Sequence, residues 1–369
     1  MWRMCRRAIL TGAILSVMMT GCGPDFEPYW KIDKLRVMAI QSDPVVAKHM
    51  EPVTLSALVY APGEPEIDYD WSWCPVRVSA EDNYECPIGE EELSELAEAF
   101  NSSDASENGG DDENGDSPPD LGDDPFDLGD GEQATFINFF EEDGVREFCE
   151  AIQEQILEQV DDPELAEFLP GGDCSEGYEV TVRLEVSSEG DSLVASKRFM
   201  LWGGAEEYNE NPRFEDFEIR PAEASDLDKL RDQAGWDIPA GADHDDQWVS
   251  VPEDEDLRAI FDIPLEFCAL VDPDSVQEYF PTGSDRSREE AFVYRHFATA
   301  GWIRSSRRLF SPDQNTLEDA SKTGFSVGDD IDCQEEVDDG CRVRIWSVVR
   351  DGRLGVDWIG RSLLFEEGE

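Results

Sequence analysis

The chain has 369 residues, with 87 acidic against 29 basic side chains, a net charge of −58 and a mean hydropathy of −0.50. A surface this acidic excludes binding of nucleic acid or anionic lipid through the general field, and leaves divalent cations, cationic partners or a salty habitat as compatible contexts. The length suits two domains with an appended region.

The first segment, Met1 to Arg7, carries three arginines and no acid, and an apolar run follows from Ala8 to Met19. About 12 apolar residues are too few to span a bilayer as a helix but suit the core of a signal peptide. The run ends in Met19-Thr20-Gly21-Cys22, which resembles a lipobox. The resemblance implies removal of residues 1–21, lipid on Cys22, a tether over 22–30, and membrane attachment through that lipid. Gly23 rather than Asp follows the cysteine, which by analogy favours the outer membrane.

A first unit is expected over 31–204. A strand is placed near Leu35–Ile40. Val53, Leu55, Ala57 and Val59 then share one face at period two, as do Ile67, Tyr69, Trp71 and Trp73. Tyr178–Val186 alternates cleanly, Glu189-Gly190-Asp191 marks a turn, and Leu193–Trp202 runs back. Together these read as a Greek-key sandwich with a tryptophan strand in its core. An insertion interrupts it over about 81–177. One helix is expected around Leu93–Phe100 and a second along Val145, Phe148, Cys149, Ile152, Ile156 and Val160, ending before Pro163. Residues 101–132, rich in Asp, Glu, Gly, Ser and Pro, are expected to be disordered for want of apolar surface to bury.

The pattern restarts over 211–366. Phe214–Ile219 reads as a first strand, Leu257–Leu270 as a second region with a proline break, and Ala291–Phe297 as the counterpart of the tryptophan strand. Cys341–Val349 alternates, Asp351-Gly352 turns, and Leu354–Leu364 returns. Both units end in a long hairpin after an aromatic strand, the mark of a divergent duplication. The expected class is mainly β, two tandem immunoglobulin-like sandwiches. Lys34–Ile40, Trp71–Pro75, Ala298–Gly301 and Val348–Arg353 resemble a group of Gram-negative lipoproteins with Ig-like repeats. The resemblance covers most of the chain outside the acidic insertion; it implies fold and location, and no activity.

Of nine cysteines, Cys5 falls in the signal segment and Cys22 in the lipobox. In an oxidising compartment the remaining seven favour sequence-local bridges, Cys74–Cys86, Cys149–Cys174 and Cys333–Cys341, with Cys268 a buried thiol. No Cys-x-x-Cys occurs, which disfavours zinc.

Other motifs are weak. Gly324-Phe-Ser-Val-Gly328 matches the hydrolase elbow, but an acidic stretch follows it and no histidine lies downstream of the serine. Asp112, Asn114, Asp116 and Asp123 fall at positions 1, 3, 5 and 12 of a calcium loop, yet Ser117 stands where glycine is required. Asp243-His-Asp-Asp246 lacks a second ligand cluster. Trp71 and Trp73 read as core rather than a sugar platform. With no cofactor or catalytic set indicated, the expected function is a lipid-anchored binding or scaffolding protein of the cell envelope. Envelope proteins or divalent cations are its expected partners, and nucleic acid is not. The alternatives are an enzyme sited in the helical insertion and a calcium-binding adhesion module.

Overall fold

The computed structural model describes residues 28–80, 83–87, 126–159, 174, 177–204, 208–240, 243–244, 247–281, 284–329, 331, 333–337 and 340–368. The calcium-loop candidates Asp112, Asn114, Asp116 and Asp123, the lipobox Cys22 and the helix expected near Leu93 lie outside these residues.

The first unit comprises β1 (Arg36–Asp43), β2 (Val46–Ala47), β3 (Pro52–Tyr60), β4 (Asp68–Cys74), β5 (Asp127–Gly129), β6 (Gln133–Ile137), helix α1 (Glu142–Gln159), β7 (Gly177–Ser188) and β8 (Asp191–Trp202). Its two sheets have the orders β1-β3-β6 and β2-β8-β7-β4-β5, and β2 lies parallel to β8. The first strand divides at the cis Asp43-Pro44 peptide, its two halves joining opposite sheets. This is the immunoglobulin arrangement. Alternation supplies the core: Val53 and Leu55 from β3, Trp71 and Trp73 from β4, and Val180, Val182, Leu184 and Val186 from β7 are all buried. The β7–β8 hairpin closes through two residues, Glu189 at φ 51° and Gly190 at φ 97°, the positive dihedrals a tight right-twisting turn requires.

The second unit comprises β9 (Phe214–Pro221), α2 (Leu227–Gln233), β10 (Val249–Ser250), β11 (Leu257–Ile260), β12 (Leu265–Val271), β13 (Glu278–Tyr279), β14 (Arg288–Glu289), β15 (Phe292–Ala298), β16 (Trp302–Ile303), β17 (Arg307–Phe310), α3 (Leu317–Ser321), β18 (Lys322–Ser326), β19 (Glu335–Val337), β20 (Gly340–Arg350) and β21 (Val356–Glu366). Its sheets run β10-β9-β12-β18-β16 and β11-β21-β20-β15-β17, with β19 beside β20 and β13 paired with β14 apart from both. β11 lies parallel to β21, as β2 does to β8. Strand for strand the topology repeats, and the chain is two immunoglobulin-like sandwiches in tandem.

Three sequence expectations need correction. The segment 81–177 is not wholly an insertion, because β5 and β6 within it add a strand to each sheet of the first sandwich. The span expected to be disordered, 101–132, ends too late: Phe126 packs against Trp73 at 6.0 Å, and Gly131 accepts a 2.9 Å hydrogen bond from the Trp71 indole. Few apolar residues suffice there because the sandwich provides their partners. The tether, 22–30, is also too long: Trp30 is buried in the core of the second sandwich, and Lys31 forms a parallel bridge with Ala298.

The sandwiches pack on each other. Met38, Ala39 and Tyr60 from β1 and β3 meet Phe297, Trp346, Val348 and Val356 from β15, β20 and β21, with Ile32 between. Gln41 Nε2 donates to Val356 O at 2.7 Å and Arg350 Nη2 to Met38 O at 2.7 Å, so the backbone polar groups at this junction are satisfied.

Candidate functional site

Three disulfides join the sequence-local pairs Cys74–Cys86, Cys149–Cys174 and Cys333–Cys341. The first fixes the chain where it leaves β4, the second ties α1 to the approach to β7, and the third closes the loop before β20. Cys268 is free and buried, 2.9 Å from Ser321 Oγ, and burial pushes its thiol up to about 11. It is a poor nucleophile in that setting. Ser326 of the Gly-x-Ser-x-Gly match ends the paired strand β18, opposite Trp302, rather than standing on a sharp strand-to-helix turn. Trp71 is fully buried and Trp73 nearly so, packed edge-on against Phe136. Within Asp243–Asp246, His244 Nε2 lies 2.9 Å from Pro221 O, and Asp245 and Asp246 fall outside the described residues. Among the described residues no group of three His, Cys, Asp or Glu is placed to hold a metal ion.

What the sequence did not single out is the cleft at the domain junction. It encloses about 430 Å³ between the end of β1, the Asp43–Val46 bend, Lys48 and Glu51 on one side, and the linker Tyr208–Arg213 with Asp357 on the other. Asn211 fastens both walls: its Nδ2 donates to Ser42 O at 2.8 Å, and its Oδ1 accepts from Val356 N at 2.9 Å. Asp357 accepts from Phe214 N at 2.8 Å; burial raises its carboxyl above the ordinary aspartate range, and nearby Asp43 adds to the rise. Lys48 Nζ sits 3.8 Å from the centre of the Tyr208 ring and 6.0 Å from that of Trp202, held by cation–π attraction.

A second hollow of about 370 Å³ shares Tyr208 and Glu210 and is completed by Asp274, Val276, Gln277, Glu278 and Arg353. Tyr208, 39% exposed, is the ridge between the two. Behind this ridge the β20–β21 turn is locked by charge and amide. Asp351 accepts from Arg353 N, Gly355 N and Asn209 Nδ2 at 2.7, 2.8 and 2.9 Å, and Lys197 of the first sandwich donates to Leu354 O. Burial lowers Lys197 to about 8, while Asp351 acts in the opposite direction. Arg353 pairs with Glu290 at 3.0 Å and lies 4.6 Å over Tyr279. Glu290 is 2% exposed, and burial raises it to about 7, aided by Asp351 and opposed by Arg353. The run Asn209-Glu-Asn-Pro212 between two β patterns was the available signal. Amides and a proline also mark any ordinary linker, so only the fold distinguishes this one.

No protein-family profile matches the chain, and no curated protein is significantly similar to it. Among solved structures, the three N-terminal domains of the Highly Immunogenic Outer Capsid protein (Hoc) of bacteriophage RB49 align over 91% of this chain and 71% of that one, at 11% identity and a TM-score of 0.18.

Proposed function

We propose that the chain is a cell-envelope lipoprotein, anchored through Cys22 and most compatible with the outer membrane, that binds or scaffolds a partner through the junction cleft without chemistry of its own. The observation that carries this reading is the exposed Tyr208, backed by Lys48 and standing between two polar hollows on a linker pinned to both sandwiches. A partly exposed aromatic set on a rigid support, with charged groups around it, is the composition of a binding hot spot. The lock behind the ridge limits the conformational entropy lost on binding.

Cys22→Ala is expected to abolish palmitate labelling and release the chain from membranes; retained label would refute the anchor. In a crosslinking pull-down from native envelope, the combined Tyr208→Ala and Lys48→Ala change is expected to lose partners that the parent chain captures. Unchanged capture would refute the cleft as the binding surface.

A further inference from the structure

In this acidic chain, arginines such as Arg220, Arg342 and Arg353 are answered by carboxylates within 3.0 Å. One face departs from that habit. From Ala291 to Pro312 the sequence holds Arg295, Arg304, Arg307 and Arg308 and no acid at all. β15 and β17 set Arg295 directly opposite Arg307, and Val293 opposite the 51%-exposed Leu309. Like charges directly opposite on one sheet face repel. No ion pair among the described residues involves Arg36, Arg295 or Arg307. The outer face of β20 and Phe297 of β15 are covered by the first sandwich, whereas Val293, Arg295, Arg307 and Leu309 are partly or largely exposed beside Tyr29, itself 55% exposed. The Tyr29 ring lies 5.7 Å from Phe297, with the guanidinium carbons of Arg36 and Arg295 at 4.8 and 5.4 Å from its centre.

The chain enters the fold at this face. Trp30 to Ile32 is pinned along β15, with Ile32 N donating to Ala298 O at 2.9 Å and Ala298 N to Trp30 O at 3.0 Å. Only five residues, Gly23 to Glu27, separate Cys22 from Pro28. They reach about 20 Å at full extension, so a lipid on Cys22 keeps the arginine face beside the bilayer.

We propose that the outer face of β15 and β17, with Tyr29, Arg295, Arg307 and Leu309, is the surface that lies against the anionic lipid of the membrane holding Cys22, an inference that rests on the lipid-anchor reading. Guanidinium groups meet the phosphates while the exposed tyrosine and leucine enter the interfacial layer. The carboxylates that dominate the rest of the surface are repelled by the same lipid, so the charge asymmetry selects one orientation. The general field of the chain opposes such binding; the tether and the local patch together overcome it.

The test couples the mature chain, residues 22–369, through the Cys22 thiol to a maleimide lipid, the other free thiol, Cys268, being buried. A coumarin amino acid is placed at position 309 or, as a distal control, at position 193, and its quenching by a headgroup-level spin-labelled lipid is read in phosphatidylcholine vesicles with and without phosphatidylglycerol. Position 309 is expected to be quenched several-fold more than position 193, and only with phosphatidylglycerol. At about fivefold per arginine, R295Q/R307Q should weaken contact about 25-fold, and R295K/R307K should retain most of it. Equal quenching at the two positions, equal contact with neutral lipid, or no loss in the glutamine pair would overturn the proposal. Because the coupling is chemical, absence of palmitate on Cys22 in cells would defeat the anchor reading without changing this measurement.

Discussion

The two sandwiches share a strand order but place their additions differently. In the first, the chain leaves the frame after β4 and again after β6, where α1 stands clamped by Cys149–Cys174. In the second, the β4-to-β5 excursion is replaced by the short stretch from β15 through β16 to β17, and helices are added between β9 and β11 (α2) and between β17 and β18 (α3). The core strand differs too. β4 fills the intersheet space with Trp71 and Trp73, whereas the equivalent β15 uses Phe292, Tyr294 and a fully buried His296 bonded to Ser347 Oγ at 2.9 Å. One topology therefore tolerates an indole or a polar network at its centre, provided both sheets close over it. The first solution rests on apolar area and one non-titrating indole hydrogen bond, and the second makes stability depend on pH.

The sharpest break is expected at the tryptophan. Trp71→Ala should cost about 3–5 kcal/mol, removing a fully buried side chain and its hydrogen bond to Gly131; denaturant unfolding followed by fluorescence would measure it. A loss below about 1 kcal/mol would mean that this strand is not central to the first core.

The next largest effect tests whether the sandwiches melt as one unit. Trp346 stands at the junction, 5.3 Å from the Tyr60 ring. Trp346→Ala should cost about 2–4 kcal/mol and split a single calorimetric transition into two, because the apolar cluster linking the sandwiches loses its largest member. If the parent chain already melts in two well-separated steps, the junction does not couple them.

The disulfides sharpen the comparison further. Cys149–Cys174 spans 25 residues in the first sandwich and Cys333–Cys341 only 8 in the second. Chain entropy predicts that replacing the longer bridge by two alanines costs about 1 kcal/mol more than replacing the shorter one. The reverse order, in paired urea titrations, would place the difference in native packing instead.

The last comparison is the pH slope of the second sandwich. Glu290 stands at about 7 against an ordinary 4.5, so between those values the folded chain holds a proton that the unfolded chain releases, and stability falls as pH rises. Burial holds His296 at about 3 against an ordinary 6.5, so stability there falls as pH drops below 6.5. The two slopes oppose each other between pH 4.5 and 6.5. Relative to the parent chain, Glu290→Gln should expose the histidine slope, up to about 1.4 kcal/mol per pH unit, and His296→Asn the glutamate slope. Parallel stability profiles for the two variants would refute this pairing of opposed groups.

The sequence by itself determined whatever depends on neighbours along the chain. Strict alternation marked β3, β4, β7, β20 and their hairpins, because a half-buried strand must repeat every two residues. Short spacing pointed to the three disulfides that the fold contains, and an apolar stripe marked α1. Tertiary structure decided the rest. β5 and β6 are only three and five residues long, too short for a periodic signal, and exist because β4 and β3 offer them edges. Trp30 looked like tether and is core, since its partners lie some two hundred residues or more further along the chain. The cleft at Tyr208 and the seating of Tyr29 beside Phe297 and Arg295 likewise arise from elements far apart in sequence. Burial and pairing between distant segments depend on the register of whole sheets, and no local pattern encodes that.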